Sequence, residues 1–335
     1  MHKHYTPFTS PKRLFFTLVG LGAIAPICID FFLPVLPSLA KDLNATPQQA
    51  NATMSIIFAG VAVGQLIFGP LSDRFGRRPI LLFGLLLFIA GSFLAVVSQS
   101  IETLLLARLF QAIGACASTV AGKAAVRDIF NHNETANFFS TQAMVAATIP
   151  IVSPFIVTAL ITLFSWRSMF IVLIAIGLIL AYAVIVRLQE SRSKETAQTA
   201  RQENPFKSYL ALLKQPKLII YITIAGLVSG AFFTYLASSP TLMTQFFNLS
   251  PLSFSLLLSL NATGMILASV FNKRLLKTNS PEQVLRYASC LAFFLSLLFA
   301  FIAITNLGGL PLMMVGLFLI LVLATFAQVN CLTCA

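Results

Sequence analysis

The chain has 335 residues, of which 58% are hydrophobic and 10% charged, and its 22 Lys and Arg against 10 Asp and Glu give a net charge of +12. No water-soluble core absorbs that apolar share, so the composition excludes a soluble globular or disordered protein and indicates an integral membrane protein. The surplus of cations does not imply a nucleic-acid partner, because its distribution along the sequence has a simpler reading.

Apolar runs fall at 15–38, 52–70, 80–98, 104–126, 136–160, 168–187, 217–238, 253–272, 283–304 and 310–335. Each approaches or exceeds the roughly 20 residues that cross a bilayer as a helix. They are continuously apolar, whereas barrel strands are short and alternate with period two, so ten α-helical spans are predicted. Apart from Lys41, Arg108 and Arg167, the cations lie in the N-terminal tail and in connections 71–79, 127–135, 188–216 and 273–282 with their flanking turns. By the positive-inside rule, the N-terminus and those connections are cytoplasmic. The first run carries Asp30, Pro34 and Pro37 and no small-residue cleavage site, so it reads as an uncleaved span. Its prolines remove backbone donors and predict a broken helix, of the kind that lines a cavity.

Span 2 contains Gly60-x-x-x-Gly64, a spacing that lets another helix approach. It leads into Gly69-Pro-Leu-Ser-Asp73-Arg74-Phe-Gly76-Arg77-Arg78-Pro79. These charges cannot lie in hydrocarbon, so the stretch forms a tight aqueous hairpin between spans 2 and 3, with Gly76 and Pro79 suited to a turn and a helix start. This stretch resembles the Gly-x-Leu-x-Asp-Arg-x-Gly-Arg-Arg loop of major facilitator transporters. Asp30 followed by Pro34-x-x-Pro37 is similar to the first span of their Bcr/CflA-type branch, the bicyclomycin and chloramphenicol drug:proton antiporters.

Span 4 runs Arg108-Leu-Phe-Gln111 into small residues and ends near Asp128, similar to the family's second motif. In span 5, Pro150 and Pro154 match the branch's repeated proline as an antiporter-motif hinge. Ser153 stands where glycine is usual, and Val157-Thr158 where the motif has paired glycines. Trp166-Arg167 marks the outer interface before span 6. Residues 188–216 are polar and read as a cytoplasmic linker, with a short amphipathic helix capped by Asn204, opened by Pro205 and presenting Phe206, Tyr209, Leu210 and Leu213. Cys28, Cys116 and Cys290 sit inside apolar runs and read as small packing residues, and the Cys331-x-x-Cys334 pair is a lone CxxC in an apolar tail, not expected to carry redox or metal chemistry.

The resemblance implies an all-α polytopic major facilitator fold: a six-helix N-terminal bundle over 1–187, the linker 188–216, and a C-terminal bundle over 217–335. Family members carry twelve helices, so the second bundle is expected to be incomplete, with four helices, through truncation at the C-terminal end. The resemblance also implies a conformational latch formed by Gly69, Asp73, Arg74, Gly76, Arg77 and Asp128, with no metal and no cofactor beyond the coupling proton.

Asp30 alone among the acidic residues lies deep in a span, and Arg108 is the cation well inside one. Such residues cost about 2.5–3.5 kcal/mol to insert and usually serve a pathway. Both fall in the outer half of their spans, where pairing is expected. Burial favours the neutral acid and a guanidinium favours the carboxylate, a competition suited to proton coupling. Candidate substrate contacts are Gln111, Met144, Phe232 and Tyr235. The expected activity is proton-coupled export of small amphipathic drugs or toxic compounds by alternating access, in the bacterial inner membrane, with small-molecule substrate, protons and lipid as partners. A non-transporting remnant and a proton-coupled metabolite transporter stand beside it as alternative readings. An enzyme is not expected, since Asp30 has no second intramembrane carboxylate and no metal-ligand set accompanies it.

Overall fold

In the computed structural model, which describes residues 11–202, 205–276, 278–305 and 309–334, every apolar run becomes a helix. The first span is broken. Pro11–Asp30 (α1) gives way to a 3-10 turn at Leu33–Val35 before Leu36–Asp42 (α2) resumes. Pro34 and Pro37 lack the N–H groups that an unbroken α ladder needs here, whereas Pro26 is accommodated inside α1. Pro47–Phe75 (α3) starts on a capping box in which Thr46 and Gln49 each satisfy the other's backbone N–H. Arg77–Val97 (α4) and Ile101–Ile129 (α5) follow, then His132–Leu163 (α6), whose Asn131 and Glu134 repeat the reciprocal cap. Pro150 and Pro154 lie inside α6 without ending it. Arg167–Arg187 (α7) completes the sixth span.

Two short helices occupy the polar stretch, Lys194–Gln202 (α8) and Pro205–Leu212 (α9), where the sequence predicts one. The additional helix, α8, begins where Ser193 Oγ accepts from the Thr196 N–H at 3.0 Å, an ordinary N-cap in a stretch with no apolar periodicity to advertise it. Asn204 and the side chains of Phe206 and Tyr209 lie outside the described residues, while Leu210 and Leu213 are exposed. The remaining spans are Pro216–Thr241 (α10), Pro251–Leu275 (α11), Pro281–Thr305 (α12) and Gly309–Cys334 (α13). Ten segments among the described residues are thus long and apolar enough to cross a membrane, and the protein is a multi-pass, all-α membrane protein.

The molecule divides into two compact units, 1–205 with six spans and 206–335 with four. In the first, α5 packs against α1, α3 and α4. Its contact with α4 is backbone to backbone: a Cβ at Gly114 would overlap the Phe88 nitrogen and stand 2.5 Å from the Gly84 carbonyl oxygen, so only glycine fits. Gly60 and Gly64 of α3 rest on Ala112 and Cys116. In the second unit α13 packs against α10, α11 and α12, with Ala268, Val284, Ala288 and Phe326 forming one buried cluster. Phe293, Phe294, Leu297 and Phe301 of α12 are exposed, a surface suited to lipid. Cys28 and Cys116 are buried, whereas Cys290, expected as a packing residue, is exposed. Cys331 donates to the Tyr221 carbonyl at 2.8 Å, and the Cys334 side chain lies outside the described residues.

Candidate functional site

Two polar clusters of the first unit contain residues that the sequence singles out. In the first, Arg108 of α5 is fully buried. Its guanidinium donates to the Cys28 carbonyl at 3.2 Å, to Cys28 Sγ at 3.4 Å and to Gln111 Oε1. The Phe32 ring lies 3.9 Å from the guanidinium carbon and the Phe170 ring 5.7 Å. In a dry site such cation–π contact is worth about 2 kcal/mol. Gln111 extends the network, its Nε2 donating to Ser92 Oγ at 2.7 Å, and Ser92 in turn donates to the Phe88 carbonyl at 2.7 Å. Cys28 completes it by donating to Gln111 Oε1 at 3.2 Å. The cluster therefore joins α1, α4 and α5. Gln111, a candidate substrate contact, is fully buried with both ends of its amide engaged.

The expected ion pair between Asp30 and Arg108 is not formed: among the described residues, Arg108 makes no salt bridge and the Asp30 carboxyl makes neither a hydrogen bond nor an ion pair. The reason is helical geometry. At about 100° per residue, Asp30 stands roughly 200° around α1 from Cys28. A guanidinium seated on Cys28 therefore has Asp30 on the far side of that helix. Asp30 is half-buried at the last residue of α1, where the helix breaks.

The second cluster lies where α3 turns into α4. Gly76 adopts φ +115°, ψ 154°, a conformation open to glycine and strained for other residues. The turn brings Arg77 back beneath α3, where its side chain is 6% exposed. There Nε donates to Asp128 Oδ2 at 2.9 Å, and NH1 donates to Ser72 Oγ at 2.8 Å and pairs with Asp73. A planar guanidinium suits this forked arrangement and an ammonium does not. Gly69, Ser72, Asp73, Arg77, Arg127 and Asp128 line an adjoining cavity of about 220 Å³. Arg74 stays apart from the pairing, its guanidinium over the Phe75 ring at 5.9 Å.

Sequence reasoning missed Glu190. Its carboxylate accepts from the backbone N–H groups of Arg77 at 2.9 Å and Arg78 at 3.2 Å, capping α4 from outside. It also missed Asp42, which at the opposite end of the unit accepts from Trp166 Nε1 at 2.9 Å and pairs with Arg167 at 2.6 Å. Of the other candidates, Met144 is 67% exposed in the first unit. In the second unit Phe232 is half-buried against Phe233, and Tyr235 accepts from Asn261 Nδ2 at 2.6 Å. Within α6, Ser153 Oγ is buried without a hydrogen-bond partner among the described residues.

Comparison with known proteins gives a consistent result. A family model described as Major Facilitator Superfamily matches residues 18–335. The protein is 33% identical over 258 residues to the uncharacterized MFS-type transporter YdgK of Bacillus subtilis (strain 168), a match covering 76% of its own length and 64% of the relative's. It is 27% identical over 304 residues to a bicyclomycin resistance protein homolog of Haemophilus influenzae, covering 90% of its own length and 76% of the relative's. With a chloramphenicol resistance protein of Pseudomonas aeruginosa it shares 31% identity over 271 residues, 80% of its own length and 63% of the relative's. In fold it is similar to the crystal structure of a D-xylose-proton symporter, with TM-score 0.67 and 15% identity, covering 94% of its own length and 80% of the symporter's.

Proposed function

This protein belongs to the Major Facilitator Superfamily, and from that premise we propose that it is a proton-coupled exporter of small amphipathic drugs that works by alternating access. Membership makes it a transporter rather than an enzyme. The drug class is supported by relatives named for bicyclomycin and chloramphenicol resistance. The observation that carries the coupling is Asp30, a half-buried acid at the break in the first span with no side-chain partner among the described residues.

In this reading the proton and the substrate compete for Asp30. A carboxyl with no counter-ion exchanges its proton with whatever water or ligand reaches it, and a substrate that alters its solvation expels that proton. Arg108 supplies fixed positive charge from the most buried polar network of the first unit. Each unit charge carried through the membrane potential contributes about 2.3 kcal/mol per 100 mV, which drives export when net charge moves inward. Met144, Phe232 and Tyr235 are the proposed substrate contacts, and Gln111 acts through Arg108. Pro150 and Pro154 are the proposed hinge, beside a buried Ser153 hydroxyl that has no hydrogen-bond partner among the described residues. The clustered cations of the α3–α4 turn and the linker support a cytoplasmic N-terminus; the inner membrane is the proposed location.

The test is drug accumulation in cells expressing the wild type or Asp30→Asn, each with and without a protonophore. The variant is expected to insert normally and to lose protonophore-sensitive efflux. Full efflux by Asp30→Asn removes Asp30 as the proton carrier. A wild type that accumulates drug like an empty-vector control favours the remnant or metabolite readings instead.

A further inference from the structure

The start of the linker does more than connect. Leu188 and Ser191 are 1% and 2% exposed and anchor the start of the linker in the first unit, while Glu190 between them is exposed and Arg192 half-buried. Glu190 takes the first two N–H groups of α4, and its Oε1 also accepts from the Arg192 N–H at 3.0 Å. Arg192 NH1 donates to the carbonyls of Asp73, at 3.2 Å, and Arg74, in the last turn of α3. Ser191 Oγ stands 3.5 Å from Asp128 Oδ2, the carboxylate that holds Arg77. Arg78 closes the circle by donating from NH2 to the Ile185 carbonyl at 2.9 Å, near the end of α7. Three consecutive linker residues thus meet the end of α3, the start of α4 and the acid on α5.

We propose that Glu190 and Arg192 are positioning residues of the latch: the linker's first turn staples both sides of the α3–α4 hairpin and passes movement of the linker to the Asp73–Arg77–Asp128 cluster. The proposal rests on the alternating-access reading above. The helix ends supply the physical basis, since unpaired N–H and C=O groups must find partners and charged side chains bind them about twice as strongly as neutral ones. Gly76 is fitted to the same contact, because a Cβ there would overlap the Glu190 carboxylate. Any displacement of residues 190–192 therefore either drags the hairpin or uncaps it.

Hydrogen exchange on the full-length protein in lipid nanodiscs, read beside efflux kinetics, tests this. Glu190→Ala is expected to raise exchange at the Arg77 and Arg78 amides at least tenfold while leaving the Thr46–Gln49 cap unchanged. Turnover is expected to fall at least fivefold with KM unaltered. Glu190→Gln, which keeps one acceptor, falls between and carries the comparison should the alanine variant fail to insert. Unchanged exchange at Arg77 and Arg78 overturns the staple. Raised exchange with unchanged turnover overturns the link to the latch. A wild type that moves no drug overturns the export reading instead, and the exchange comparison still decides whether the elbow holds the hairpin.

Discussion

Gly69 and Gly76 both belong to the hairpin motif, yet Gly69 lies inside α3 and Gly76 is itself the turn into α4, and the structure gives them opposite requirements. Gly76 has φ +115° and ψ 154°, which costs other residues about 1–3 kcal/mol, and a Cβ there would displace Glu190 from two N–H groups. Hydrogen bonds to a charged group are worth about 1.5–3 kcal/mol each, and water recovers part of that at this exposed turn. Gly76→Ala is therefore expected to destabilise the first unit by about 2–5 kcal/mol. Gly69 lies within α3 with no atom inside 4 Å of an added Cβ. Gly69→Ala is expected to be neutral or to stabilise by up to about 1 kcal/mol, the helix-propensity difference between the two residues. Equilibrium unfolding of both variants in mixed micelles measures the contrast. Equal losses at the two positions refute the argument, because they would mean that the hairpin's glycines answer to something other than backbone angle and the Glu190 contact.

The other clusters make separate predictions. Gln111→Leu leaves Arg108 and Ser92 each short of a partner in a dry site and is expected to cost about 1–3 kcal/mol per lost bond, again read by unfolding; a loss below about 0.5 kcal/mol would show the network to be dispensable. Asp42→Asn removes an ion pair whose side chains are 48% and 30% exposed, so the expected loss is below about 1 kcal/mol and shrinks with added salt, whereas a large salt-insensitive loss contradicts it. Tyr235→Phe deletes the acceptor of Asn261 and is expected to cost about 1 kcal/mol. If Tyr235 contacts substrate through its hydroxyl, KM for efflux rises as well; an unchanged KM confines it to helix packing.

The parts of this protein that a linear reading finds are those whose physics is written in side-chain type. Spans follow from apolar length, the break in the first span from Pro34 and Pro37, and the α3–α4 hairpin from charges that must reach water. Asp30 and Arg108 show where such reading stops. Counting residues along a helix gives depth, which puts both in the outer half. Pairing also depends on azimuth, which is set by which face of α1 packs against α5, and Cys28 rather than Asp30 holds that face. Gln111 reads as a free polar group for the same reason, since its saturation depends on Ser92, a residue 19 positions away on another helix.

Glu190 is a different case. Its principal partners are the backbone N–H groups of Arg77 and Arg78, which any two residues other than proline would offer. No pairing rule between side groups can point to it, and in a polar linker one glutamate looks like the next. What could have drawn attention is the hairpin's own accounting: α4 begins directly after Gly76, with no Ser, Thr, Asp or Asn to cap it. A helix start with orphan donors and no local cap implies an acceptor supplied from elsewhere in the sequence. Asp73 and Asp128 are committed to Arg77, and Glu190 is the acid that α7, in returning the backbone to this end, brings within reach.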